Sequence, residues 1–157
     1  TPSGMLNAVA QDLEDVGARR IDELPTDIDE PLTVGQVAAL TGLSSHTLRW
    51  YERVGLLQPV TRDRFGRRQY TQADLRWLVL LLRLRGTGMP VNEMQRYAEL
   101  VRAGAHTMRE RPELLEAHRD RVRRHIADLH RDLDVINRKI TAYRRPLEDT
   151  LSAAEPG

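Results

Sequence analysis

The sequence predicts a mainly α fold in which a helix-turn-helix and a small β-hairpin wing precede one long helix whose apolar stripe calls for a partner chain. Three observations predict it. Two segments with helix-capping residues flank the turn Thr41-Gly42-Leu43, and two short helices around a Gly-bearing turn make a helix-turn-helix. A basic, Gly-containing stretch, Thr61 to Arg67, joins two short extended segments. From Val122 onward, apolar residues recur in alternating steps of four and three, the heptad pattern of a coiled coil. At 157 residues the chain holds one small domain plus an extended element, not two domains with separate cores.

Each element has a local cause. Residues 1–31 read as a flexible acidic extension, with a short amphipathic helix around Met5 to Leu24 and then a Pro- and acid-rich linker. Thr33 and Gln36 have capping-box spacing, so a first helix starts at Thr33 and carries Val34, Val37, Ala38 and Leu40. Ser44 or Ser45 caps a second helix, which runs to about Val54 and stops at Gly55. On it Ser45, His46, Arg49, Trp50 and Arg53 project outward, and Leu48 inward with Tyr51 or Glu52. Arg49 is the best-placed base reader, its fork suited to a guanine edge or to a phosphate. Of Trp50 and Tyr51, one ring packs and the other meets the DNA backbone.

Leu56 to Val60 and Arg68 to Tyr70 are expected to be extended, with Gly66 supplying the positive φ of the hairpin turn. Arg62, Arg64, Arg67 and Arg68 crowd this loop, and charges so dense repel one another unless a polyanion neutralises them. Thr71 and Asp74 open a third helix through Leu75, Leu78, Val79, Leu81, Leu82 and Leu84, ending at Gly86 or Gly88. Pro90 sits in the first turn of a fourth, with Val91, Met94, Tyr97, Leu100 and Val101 inward. Beyond Gly104 a long helix is expected, with Pro112 in its first turn and Pro146 as its stop. Its seam is Val122, Ile126, Leu129, Leu133, Ile136, Ile140 and Tyr143, weakening at Arg119, and a helix of roughly 50 Å exceeds what so small a domain can cover. The expected organisation is thus residues 32–104 as the reading domain, 105–145 as linker and dimerisation helix, and 146–157 as a flexible tail.

Composition narrows the function. The net charge of +1 conceals segregation: residues 1–31 carry −6, residues 32–86 carry +6 and residues 87–157 carry +1. A basic block of this kind attracts a polyanion. The absence of cysteine removes disulfides, thiolate metal sites and thiol redox sensing. The five histidines, without cysteine or a tight carboxylate cluster, make no metal site, and no metal or other cofactor is expected. No run is long and apolar enough to cross a bilayer, and no signal peptide is visible, so a cytoplasmic protein is expected. No nucleophile and base, paired-carboxylate or nucleotide-binding motif appears, so the chain is not expected to be an enzyme.

The order of the capped helix, the Thr41-Gly42-Leu43 turn, Thr47-Leu48-Arg49-Trp50-Tyr51-Glu52-Arg53-Val54-Gly55-Leu56-Leu57, the basic wing and Asp74-Leu75 resembles the MerR family of bacterial transcription regulators. The likeness spans residues 32 to about 145. Trp50 and Arg67 stand where that family usually has Tyr, changes that keep bulk or add positive charge. The resemblance implies a homodimer joined by an antiparallel coiled coil of the long helices, reading the two halves of a palindromic promoter site in double-stranded DNA. It also implies that the bound spacer is bent and untwisted so that RNA polymerase holoenzyme can engage. The expected DNA contacts are Thr33, Ser44, Ser45, His46, Thr47, Arg49, Trp50, Tyr51, Arg53 and the four wing arginines. With only fourteen residues after Tyr143, any small organic effector is expected near the junction of the fourth and long helices, with Trp77, Tyr97, His106 and Met108 as candidates, or there is none. The rival readings are an architectural or accessory DNA-binding protein without effector-gated control and a module whose basic surface meets an acidic protein.

Overall fold

The computed structural model describes residues 27–154. The expected helix between Met5 and Leu24 lies outside them. The chain forms two compact units, one ending at Leu114 and one beginning at Leu115.

In the first unit the order is β1 (Leu32–Thr33), α1 (Val34–Thr41), α2 (Ser45–Arg53), β2 (Thr61–Arg62), β3 (Arg68–Tyr70), α3 (Gln72–Gly86), α4 (Val91–Ala103) and a 3-10 turn (Ala105–Thr107); α5 (Glu110–Ala153) begins here and makes up the second unit. The helix starts follow the caps. Thr33 and Gln36 form the reciprocal capping box of α1, Thr71 and Asp74 that of α3, and Ser44, not Ser45, caps α2 by accepting from the Thr47 N–H. Each such cap satisfies donors that the first helical turn leaves unpaired. Pro90 sits just before α4, where its missing N–H costs nothing.

The core is built where the helical periodicity put it. Leu48 and Tyr51 from α2, Leu75, Leu78, Leu81 and Leu82 from α3, and Met94, Tyr97 and Leu100 from α4 are buried, each fully buried apolar side chain contributing about 1.5–3 kcal/mol. Arg111, at the start of α5, turns back and donates to the Gly104 carbonyl at 2.7 Å and to those of Leu100 and Val101, satisfying acceptors at the end of α4.

Three expectations are corrected. The first wing strand is Thr61–Arg62, not Leu56 to Val60, because the Leu56 and Leu57 N–H groups both donate to the Tyr51 carbonyl and finish α2 instead. The wing is also not a lone hairpin: β1 pairs with β3 through Leu32 opposite Tyr70, and the antiparallel order is β1-β3-β2. Pro146, moreover, does not end α5, which continues to Ala153. Proline removes one helical hydrogen bond, at a cost of about 3 kcal/mol. Here the flanking residues are exposed, so water can take the freed carbonyl, and Thr150 Oγ1 donates to the Pro146 carbonyl at 2.7 Å.

Candidate nucleic-acid interface

On α2 the structure divides the expected contacts into two groups. Ser45, His46, Arg49, Trp50 and Arg53 keep accessible surface; Thr47 and Tyr51 have 0% and 1%. Thr47 is held inside by the Ser44 hydroxyl, 2.9 Å from its own, and Tyr51 is the ring that packs, so Trp50, 5.7 Å away, is the one left to face outward. Thr47 and Tyr51 thus pack in the interior of the unit, away from the exposed face of α2. Burial holds the Tyr51 phenol far above its usual range, against the lowering pull of Arg85, and burial likewise raises Tyr70, with the Glu52 charge adding. Thr33 and Ser44 are exposed and serve as caps. The Arg49 Nε–H donates along its own helix to the Ser45 carbonyl at 3.2 Å, which lays the side chain on the exposed face.

The wing arginines are not equivalent either. Arg68 is tied to Glu52 at 2.7 Å, both side chains mostly buried, and this pair joins β3 to α2. In this structure Arg68 acts as a strut between helix and wing. Arg49, Arg53 and Arg68 nevertheless border one open cleft, with Glu52 and Pro59. The turn is organised by Asp63, whose carboxylate accepts from the Phe65 and Arg67 N–H groups at 2.8 and 3.0 Å and from Arg67 Nε at 2.9 Å. The Arg67 N–H, the Phe65 N–H and the Arg67 side chain hold the Asp63 carboxyl below the usual carboxylate range, although partial desolvation opposes them. Gly66 adopts φ 76, a conformation that strains any side-chain-bearing residue. Arg62 donates to the Gly66 carbonyl at 2.8 Å. Arg62, Arg64 and Arg67 are exposed.

The exit of α2 is held from outside its own segment. Three consecutive carbonyls each receive a side-chain donor: Val54 from Gln95 at 3.2 Å, Gly55 from Arg102, and Leu56 from Trp77 at 2.7 Å. Gly55 has φ 81, and a Cβ there would lie 3.2 Å from Arg102 Nη2, so only glycine combines that backbone with so close an approach. Gln95 and Arg102, like Asp63, went unnoticed in the sequence, while Trp77 was singled out only as an effector candidate and Glu52 only as a packing alternative to Tyr51. Asp63 alone carried a local signal, an Asp three residues before a turn glycine.

A reading helix and a basic wing, locked together through Glu52 and Arg68, can be compared with known proteins. The profile of the MerR HTH family regulatory protein matches residues 32–100, and that named MerR, DNA binding matches residues 75–144. An uncharacterised HTH-type transcriptional regulator from Haemophilus influenzae is 40% identical over 113 residues, 72% of this chain and 84% of its own length. The chain belongs to the MerR family. Among solved structures, HiNmlR, described as a MerR family regulator lacking the sensor domain and bound to promoter DNA, shares 39% identity with a TM-score of 0.68, covering 73% of this chain and 91% of its own. A MerR family regulator from Listeria monocytogenes shares 31% identity with a TM-score of 0.72, covering 78% and 95%. The chain is thus a DNA-binding transcription regulator of the MerR family and not an enzyme.

Of the four effector candidates of this MerR-family chain, Trp77 and Tyr97 are brought together and His106 and Met108 do not join them. Trp77 and Tyr97 stack with ring centroids 5.5 Å apart, and Trp77 borders a half-open cavity of about 240 Å³ whose lining mixes Leu56, Ala98 and Val101 with Gln58, Asp74 and Arg102. His106 and Met108 are exposed and do not line it, because Gly104 redirects the chain into the 3-10 turn. In the second unit, Ile126, Leu129, Leu133, Ile136, Ile140 and Tyr143 are 43–67% exposed, with Val122 half-buried, and Leu147 extends the stripe beyond Pro146. No helix among the described residues is long and apolar enough to cross a membrane.

Proposed function

We propose that this MerR-family regulator binds a palindromic promoter operator as a homodimer, pairing through the α5 stripe, and bends and untwists the promoter spacer so that RNA polymerase holoenzyme engages it. The reading module is residues 32–104, the pairing segment 105–145, and the site of action the cytoplasm. The observation that carries this reading is the exposed cationic set on two rigidly joined elements: Arg49 and Arg53 on α2, and Arg62, Arg64 and Arg67 on the wing. The promoter-bound state of HiNmlR supports the choice of DNA. The half-exposed stripe supports pairing, since apolar heptad positions are stable in water only when covered. A small organic effector acts, in this proposal, at the cavity beside Trp77, where a ligand would touch two of the groups that hold the exit of α2.

Selection of bound duplexes from a random pool tests the proposal directly. The recovered sites should be inverted repeats, and Arg49→Ala should weaken binding to them about tenfold to a hundredfold if the guanidinium reads a base. Recovery of single, unpaired half-sites, or an Arg49→Ala variant with undiminished affinity, contradicts it. Unchanged transcript levels at an occupied promoter in purified transcription would assign the chain an architectural role.

A further inference from the structure

Phe65 is an exposed aromatic at the tip of the wing, 66% accessible, while Tyr51, Tyr70 and Tyr97 of the same unit are buried and Trp50 and Trp77 half-buried. Its position is nonetheless strongly determined: the Phe65 N–H is held by Asp63, the Gly66 N–H donates to the Asp63 carbonyl at 3.0 Å, and Arg62 holds the Gly66 carbonyl. The guanidinium carbons of Arg64 and Arg67 lie 4.7 and 5.0 Å from the ring centroid, an attraction between cation and ring quadrupole that orders all three side chains. The single acid of the loop, Asp63, is consumed by internal bonds.

We propose that Phe65 is a minor-groove probe: an apolar ring set by the wing against the sugar and base edges flanking each half-site, with Arg64 and Arg67 on the phosphates beside it. This rests on the DNA-binding reading and adds a second, non-helical source of sequence preference. The minor groove, about 6 Å wide, excludes a helix but admits a hairpin tip one ring thick. Its negative potential draws guanidinium groups, and apolar wedges there unstack and kink the duplex. A tip of one ring and flanking cations, presented rigidly, has the matching shape and charge, and its rigidity lowers the ordering cost of binding. A protein partner for the same ring is disfavoured by the cations crowded around it.

The test uses a duplex recovered by the selection, in fluorescence anisotropy, beside the same duplex with its flanking A·T pairs replaced by 2,6-diaminopurine·T. That exchange adds an amino group to the minor groove and leaves the major-groove acceptors and the phosphates in place. The native chain should bind the modified duplex about threefold to tenfold more weakly. Phe65→Ala should lose a similar factor on the unmodified duplex, become indifferent to the modification and keep the native salt dependence, since no phosphate contact is removed. Phe65→Leu should recover part of the loss. Circular dichroism confirms that the variants fold, which the exposed position favours. Native affinity of Phe65→Ala for the unmodified duplex, or an undiminished penalty from diaminopurine in that variant, overturns the proposal. Failure of the native chain to bind any selected duplex would instead remove the operator reading beneath it.

Discussion

Tyr51 and Trp50 are neighbours with the same chemical capacity, yet one has 1% of its surface exposed and the other remains partly open. At a pitch of 3.6 residues, adjacent positions point about 100° apart, so a one-residue offset separates packing from contact. Among the described residues, the Tyr51 and Tyr70 hydroxyls are buried without a hydrogen-bond partner. An unpaired buried hydroxyl is destabilising, and removing it should help: Tyr51→Phe is expected to raise stability by about 1 kcal/mol, read as a higher midpoint in chemical denaturation. A drop in the midpoint would show that the hydroxyl has a partner, such as an ordered water. Arg68 and Glu52 teach a related lesson. Four arginines in one loop look alike in sequence, but the one facing α2 finds a carboxylate sixteen positions away and becomes internal structure.

Among elements, the exit of α2 is the most dependent on its surroundings. Its last carbonyls point toward α3 and α4, and the donors that meet them come from Trp77, Gln95 and Arg102. Arg102→Ala should therefore cost about 1 kcal/mol of stability and also weaken operator binding, because the reading helix loses one of its external anchors. Arg96→Ala is the control. Its partners Glu99 and Glu110 are exposed ion pairs, so stability should move by less than about 0.5 kcal/mol. Equal effects of the two substitutions, measured by urea denaturation and mobility shift, would falsify the anchoring role. Helix starts, by contrast, were legible: Thr33, Ser44 and Thr71 cap through residues only three positions away. The first wing strand was misplaced because Leu56 and Leu57, with good strand propensity, spend their N–H groups on closing α2.

For the whole molecule, the 44-residue α5, about 66 Å long at 1.5 Å per residue, carries an apolar stripe that is largely exposed among the described residues. Replacing Ile136 by Glu puts a charge at the centre of that stripe. The expected outcome is a shift from dimer to monomer in analytical ultracentrifugation and, with it, loss of high-affinity operator binding; Arg49→Ala should remain dimeric. A dimer unaffected by Ile136→Glu would place the pairing surface elsewhere. Such a stripe is read easily because its period is a property of the helix, and Pro146 was over-read because an exposed helix tolerates a break that a buried one would not.

Capping, turn glycines, charge segregation and heptad period depend on residues within a turn or two of one another, so the linear order of amino acids was enough to determine a helix-turn-helix, a basic wing, a long helix with an apolar stripe and a polyanionic partner. Which of two adjacent aromatics is buried, which arginine is a strut, how three carbonyls at the end of α2 are satisfied and that Phe65 stands free at the wing tip were decided only in three dimensions. The residues concerned lie sixteen to forty-seven positions apart or depend on the absence of a neighbour. Short-range hydrogen bonding is encoded by spacing along the chain, whereas burial and long-range pairing are set by the distances that folding creates.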